Sequence, residues 1–180
     1  MIYFTSDWHF GHDKDFIWRD RGFSSVKEMN EELVKRFNSV VSDDDIVYVL
    51  GDLILGDLSN SSYVERLNGK LNIIRGNHDT PNRMSKFIQL DNVVTYHNAG
   101  YFTYGKYKFY LTHFPCITSN IDDDKNPWQR IINLYGHTHQ TNNFYKGNPY
   151  MYHVGVDSHD MFPVSIEKIL EDIKEAVDGK

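Results

Sequence analysis

Ile2-Tyr3-Phe4-Thr5-Ser6-Asp7-Trp8-His9-Phe10-Gly11-His12 begins as an apolar, β-branched run and ends in a cluster of ionisable side chains. A short run of that kind suits a strand buried on both faces, which places the polar residues just beyond its carboxyl end. Four further runs repeat the plan. Residues 46–50 precede Gly51-Asp52, residues 71–74 precede Gly76-Asn77-His78-Asp79, residues 109–112 precede His113, and residues 131–135 precede Gly136-His137-Thr138-His139. In open α/β sheets ligands bind beyond the carboxyl ends of the strands, so five such ends can converge on one place.

Between the strands the pattern changes to a helical period. Ser25 and Glu28 have the spacing of a capping box, and Val26, Met29, Leu33 and Phe37 share one face. A shorter helix is expected after Ser62 and Glu65, carrying Val64 and Leu67 and stopping near Gly69. Residues 93–97, 101–104 and 107–112 are aromatic and β-branched runs separated by Gly100 and Gly105, which reads as hairpins and a second, largely antiparallel sheet. Residues 144–145 and 150–154 suggest another hairpin around Gly147 and Pro149. Ser165 reads as the cap of a closing helix with Ile166, Ile169, Leu170, Ile173 and Val177 on one stripe. The architecture expected is α/β, two mixed sheets with outer helices.

With 180 residues and no linker or repeat, the chain reads as one domain over 1–180. The formal charge of −6 comes from interspersed acids and bases, and offers no basic stripe for tracking an extended nucleic acid. Cys116 is the one cysteine, so no internal disulfide can form. No signal-peptide pattern or membrane-length apolar run is present, and a cytoplasmic location is expected. The acidic run Asp122–Asp124 reads as a solvated loop.

The chemistry lies in the strand-end clusters. Asp7 and His9, like His137 and His139, are two residues apart, which puts each pair on one side of an extended segment. Glycines before Asp52, Asn77 and His137 suit tight turns or close backbone approach. A mixture of carboxylates, imidazoles and one amide suits a borderline divalent ion and excludes an all-sulfur zinc site. Any one of these residues alone is more often a hydrogen-bonded strand end. Seven together, Asp7, His9, Asp52, Asn77, His113, His137 and His139, are too many for one ion and suit two, with a shared carboxylate; Asp52 is the expected bridge.

These blocks, in order, resemble the five motif blocks of calcineurin-like metallophosphoesterases. The closing Val154-Gly155-Val156-Asp157 and Pro163-Val164-Ser165 resemble, with the Asp7–His12 block, the small single-domain members of bacteria and phages. The resemblance implies a four-layer α/β/β/α sandwich and two divalent ions, manganese first, with iron, zinc, nickel, cobalt or magnesium as alternatives. It assigns Asp7, His9, Asp52 and His139 to one ion and Asp52, Asn77, His113 and His137 to the other. It makes His78 the acid that assists the leaving group, with Asp79 as its partner, and implies attack on a phosphate ester by a hydroxide bridging the ions.

The tyrosine ligand of purple acid phosphatases and the arginine motifs of serine/threonine phosphatases are missing, which disfavours protein dephosphorylation. A phosphodiesterase on a small nucleotide-like or cyclic substrate is expected, with phosphomonoesterase and a non-catalytic scaffold as the alternatives. Trp8 and His12 are candidates for the pocket mouth, Trp8 stacking a base or only packing.

Overall fold

The computed structural model describes residues 1–118 and 126–179; the Asp122–Asp124 run lies outside them. Strands β1 (Ile2–Thr5), β2 (Ile46–Val49), β3 (Lys70–Ile74) and β4 (Val93–His97) are parallel, and β9 (Val164–Ser165) joins β1 antiparallel, giving the order β4-β3-β2-β1-β9. The second sheet has the order β5-β6-β7-β8, from β5 (Gly100–Tyr104), β6 (Tyr107–Leu111), β7 (Ile131–Tyr135) and β8 (Met151–His153).

Two cores follow from the strand alternation. Val47, Val49, Leu71 and Ile73 point to one face of the first sheet and meet Met29, Leu33 and Phe37 of α2 (Val26–Val40). Phe4, Leu50 and Ile74 point to the other face and meet Phe109, Leu111, Ile132 and Leu134 of the second sheet. The fold is thus two mixed sheets flanked by helices. The closing helix α5 (Ile166–Asp178) places Ile169 and Ile173 in this inter-sheet core, and Tyr152 of β8 donates its hydroxyl to Asp172 of α5 at 2.6 Å. Each such buried aliphatic or aromatic side chain stabilises the fold by about 1.5–3 kcal/mol.

Local signals act as their chemistry requires, with some departures. The Ser25 hydroxyl accepts from Glu28 N, whereas the Glu28 carboxylate turns to Ser24 N and Oγ, so only half of the capping box forms. The Ser165 hydroxyl caps α5 by accepting from Lys168 N. The short α3 is Ser61–Glu65, placing Ser62 inside the helix and not at its cap. Among the α-helices and strands, three have no counterpart among those expected from the sequence: α1 (Asp15–Trp18), α4 (Pro81–Phe87) and the two-residue β9.

The second sheet is not largely antiparallel. Gly105 does turn the β5–β6 hairpin, but β6, β7 and β8 run parallel, because the segments joining them are long enough to cross back over the sheet. β4 belongs to the first sheet, so no hairpin joins it to β5. This parallel arrangement is what sends the ends of β6, β7 and β8 to the same edge as those of β1, β2 and β3.

Candidate active site

The loops after β1 and β2 are zipped together, Asp7 N donating to the Gly51 carbonyl and His9 N to the Asp52 carbonyl, at 3.0 and 3.1 Å. Asp7, His9, Asp52, His137 and His139 all adopt left-handed φ, between 47° and 70°. Such backbone costs of order 1–3 kcal/mol per residue and collects at functional sites. It also corrects the extended-segment expectation: Asp7 and His9 converge because the chain coils at each of them.

Close approach explains two glycines. A Cβ on Gly76 would lie 2.2 Å from Asp52 Oδ1, and one on Gly136 would lie 2.5 Å from Asp7 Oδ2. Side chains there would displace the carboxylates themselves.

Seven candidate ligands meet at this edge. Asp7, His9 and His139 offer ligand atoms all within 4.8 Å of one another, and so do Asp7, Asp52 and His113. Asp52 Oδ2 stands 3.6 Å from His9 Nε2 and 3.4 Å from His113 Nε2. Asn77 Oδ1 is 2.8 Å from His113 Nε2 and 2.9 Å from His137 Nδ1, and His9 Nε2 faces His139 Nε2 at 3.2 Å.

Hydrogen bonds on the far side of two rings set their tautomers. His113 Nδ1 donates to the Leu50 carbonyl and His139 Nδ1 to Asp157 Oδ2, each at 2.8 Å, so both Nε2 lone pairs face inward. Burial holds His9 neutral, pulling its pKa down to about 3. Burial also opposes ionisation of Asp52, but a proton on His113 Nε2, where a cation would otherwise stand, outweighs it through its hydrogen bond and charge and brings the carboxyl to about 2. Fully buried Asp7 is pushed upward by the loss of water, which a nearby cation would reverse. Converging lone pairs and two buried carboxylates therefore fit divalent cations.

His78 lies at the rim, its ring 5.4 Å from that of His9 and its Nε2 4.0 Å from Asp52 Oδ2. Its main chain is clamped, N donating to Asp52 Oδ1 and the carbonyl accepting from Arg83. Asp79 does not partner the His78 ring. Its buried carboxylate accepts from the backbone N–H groups of Asp52, Leu53 and Gly76, at 2.8, 3.2 and 2.8 Å, and so fixes the turn that carries Asp52. Trp8 is withdrawn from the mouth. It is 2% exposed, packs against Phe10 and Phe37, and donates Nε1 to Thr5 Oγ1. His12 does adjoin the site, 5.7 Å from the His9 ring and in edge contact with exposed Phe16.

The family model for the calcineurin-like phosphoesterase superfamily domain matches residues 1–176. The chain belongs to that superfamily. Its reaction class is accordingly metal-dependent phosphoester hydrolysis. The chain is 36% identical over 175 residues to an uncharacterized protein, MJ1445, of Methanocaldococcus jannaschii, covering 94% of this chain and 89% of that one. It is 29% identical over 163 residues to the gene 66 protein of Mycobacterium phage L5, covering 76% of each. The crystal structure of a protein of unknown function, AQ665 from Aquifex aeolicus, superposes with a TM-score of 0.70 at 19% identity, over 95% of this chain and 98% of that one, and shares its fold.

Two residues that the sequence reading left without a role complete the phosphoesterase centre. Arg21, buried between α1 and α2, pairs with Asp157 through Nε and Nη2 at 2.8 and 3.1 Å, and donates to the carbonyls of Trp8 and Asp7 at 3.0 and 2.7 Å. Asp157 passes that anchorage to His139. Burial works against its charge, but His139 and Arg21 hold the carboxyl far below the usual carboxylate range. Asp157 lies just beyond β8, a strand end like the others, and that position was the available signal. Arg21 had none, being 136 residues away in sequence.

Proposed function

We propose that the protein is a binuclear phosphodiesterase acting on a small ester. Asp7, His9, Asp52 and His139 would hold one ion and Asp52, Asn77, His113 and His137 the other, with manganese the first candidate. When bound, such a pair supplies Lewis acidity and water activated near neutral pH. The chain's own residues then divide the remaining work. Asn77 turns Oδ1 toward His113 and His137, which leaves its amide N–H groups to donate to a phosphoryl oxygen where charge develops. His78, with its main chain clamped and its imidazole open to solvent, would deliver a proton to the departing oxygen.

The observation that carries the diester reading is a cleft of about 420 Å³ beside Asn77 and His113, room for a second ester substituent. Arg21 and Arg83, which touch the ligand loops, are engaged by Asp157 and by backbone carbonyls, so neither reaches the scissile phosphoryl group. The test compares kcat/KM for bis(p-nitrophenyl) phosphate and p-nitrophenyl phosphate at one pH with saturating manganese. The diester should win; a clear win for the monoester overturns the reading.

A further inference from the structure

The cleft beside Asn77 and His113 has a chemistry of its own. Its walls include Arg75, Asn98, Tyr110 and Phe114, and among the described residues no carboxylate lines it, in a chain whose net charge is −6. Two other cavities that contain a cation are different: one is lined by Asp160 and Asp172 beside Lys168, another by Glu28, Glu31 and Glu32 beside Arg36 and Arg66.

Arg75 Nε donates to the Asp79 carbonyl at 2.9 Å. Among the described residues its other guanidinium N–H groups have no partner, and neither have the Asn98 amide or the Tyr110 hydroxyl. At the cleft's edge the Phe114 ring is 48% exposed, while its edge-on contacts with His113 and His137, at 5.1 and 4.6 Å between centroids, keep it against the ligands. One uncommitted cation, an amide, a hydroxyl and an open aromatic face therefore stand together, next to the place where the phosphoryl group would be held.

We infer that this cleft is a subsite for the organic part of the substrate, and that it takes a nucleotide-like group bearing a second phosphate, the phosphate on Arg75 and Asn98 and the flat ring on Phe114. The inference rests on the phosphodiester reading above. A guanidinium can meet a phosphate through parallel N–H groups, whereas a lysine would offer only a point charge. Aromatic faces accept any base, so the ring contact sets class and not identity. The volume of about 420 Å³ falls in the range of small-molecule pockets.

Four probes separate the possibilities under saturating manganese: bis(p-nitrophenyl) phosphate, p-nitrophenyl phosphate, thymidine 5′-(p-nitrophenyl phosphate), and the same thymidine ester carrying a 3′-phosphate. The last two share one scissile bond and one leaving group, and differ only by the second phosphate. The 3′-phosphate should raise kcat/KM by roughly 10- to 100-fold through KM, the range of a charge-assisted hydrogen bond. Arg75→Met should bring the ratio between the thymidine esters near one while metal content stays at the wild-type value, and Arg75→Lys should restore part of it. Asn98→Asp, at an exposed side chain without a partner, should lower the ratio below one and keeps the test open if Arg75→Met folds poorly. Equal kcat/KM for the two thymidine esters in the wild type, with bis(p-nitrophenyl) phosphate still hydrolysed, overturns this inference alone. An Arg75→Met loss that falls equally on p-nitrophenyl phosphate also overturns it, since Arg75 would then serve the scissile group or the fold. Failure to hydrolyse any diester overturns the phosphodiesterase reading and this subsite with it.

Discussion

The site has a floor and a rim, and they are built differently. Asp7, His9, Asp52 and His113 are buried, whereas Asn77, His78, His137 and His139 stand exposed around them. Floor loops are tied to one another through backbone hydrogen bonds and through Asp79, so the residues that would hold ions also hold the loops together. Rim side chains contribute little to packing. Substitutions in the floor and its supports should therefore cost stability, and substitutions at the rim should cost function alone.

His78→Ala gives the largest expected effect and the cleanest view of the rim. Loss of the proposed general acid should lower kcat by about 10²–10⁴, with metal content unchanged and thermal stability within about 0.5 kcal/mol of wild type. The loss should shrink for esters with low-pKa leaving groups; equal losses for good and poor leaving groups would remove His78 from that role. Asp79→Ala is its counterpart beneath the floor. Three buried N–H groups would lose their acceptor, at a cost of about 3 kcal/mol or more, seen as a fall in Tm of roughly 6–12 °C. A Tm close to wild type would show that the turn does not depend on that carboxylate.

Asp157→Asn falls between floor and rim. The amide keeps the shape but weakens the bond that orients His139, and affinity for the ion that Asp7, His9 and His139 would hold should drop by about 10- to 100-fold, while binding at the Asn77, His113 and His137 side changes little. Isothermal titration that shows both sites weakened together would contradict this division.

The smallest effect lies outside the centre. Buried His153 is held neutral, its pKa pulled down to about 3 by burial, against about 6.5 in the unfolded chain. The unfolded state therefore binds the extra proton first: the His153 contribution to stability is flat above about pH 7.5 and falls as pH drops through 6.5 toward 3. At pH 6 the loss should be about 0.8 kcal/mol relative to pH 8. His153→Phe should flatten that slope at saturating metal, and an unchanged slope would assign it to other groups.

How much of this was legible depended on the distance over which each feature is determined. The buried strands, the capping serines Ser25 and Ser165 and the Gly105 hairpin are local, and their signals lie within a few residues. The Thr80-Pro81 start of α4 is equally local, since the Thr80 hydroxyl accepts from Arg83 N and proline suits the first helical position. The parallel order of β6, β7 and β8 was not readable from strand patterns, because crossovers set it. Candidate ligands were visible as a recurring pattern, but the direction of each side chain was not. Asp79 could point at His78 or at the backbone, and Trp8 at solvent or at Phe37; tertiary packing decided both. The Arg21–Asp157 pair exists only once the fold has brought together the two ends of the chain.

Counting ions tests the central claim most directly. Protein stripped with chelator, reloaded with manganese and freed of excess metal should carry two ions per chain, and Asp52→Asn should weaken both, since its Oδ2 stands between His9 and His113. A wild-type stoichiometry of one, or an Asp52→Asn variant that loses one ion and keeps the other at full affinity, would contradict a binuclear centre bridged by Asp52.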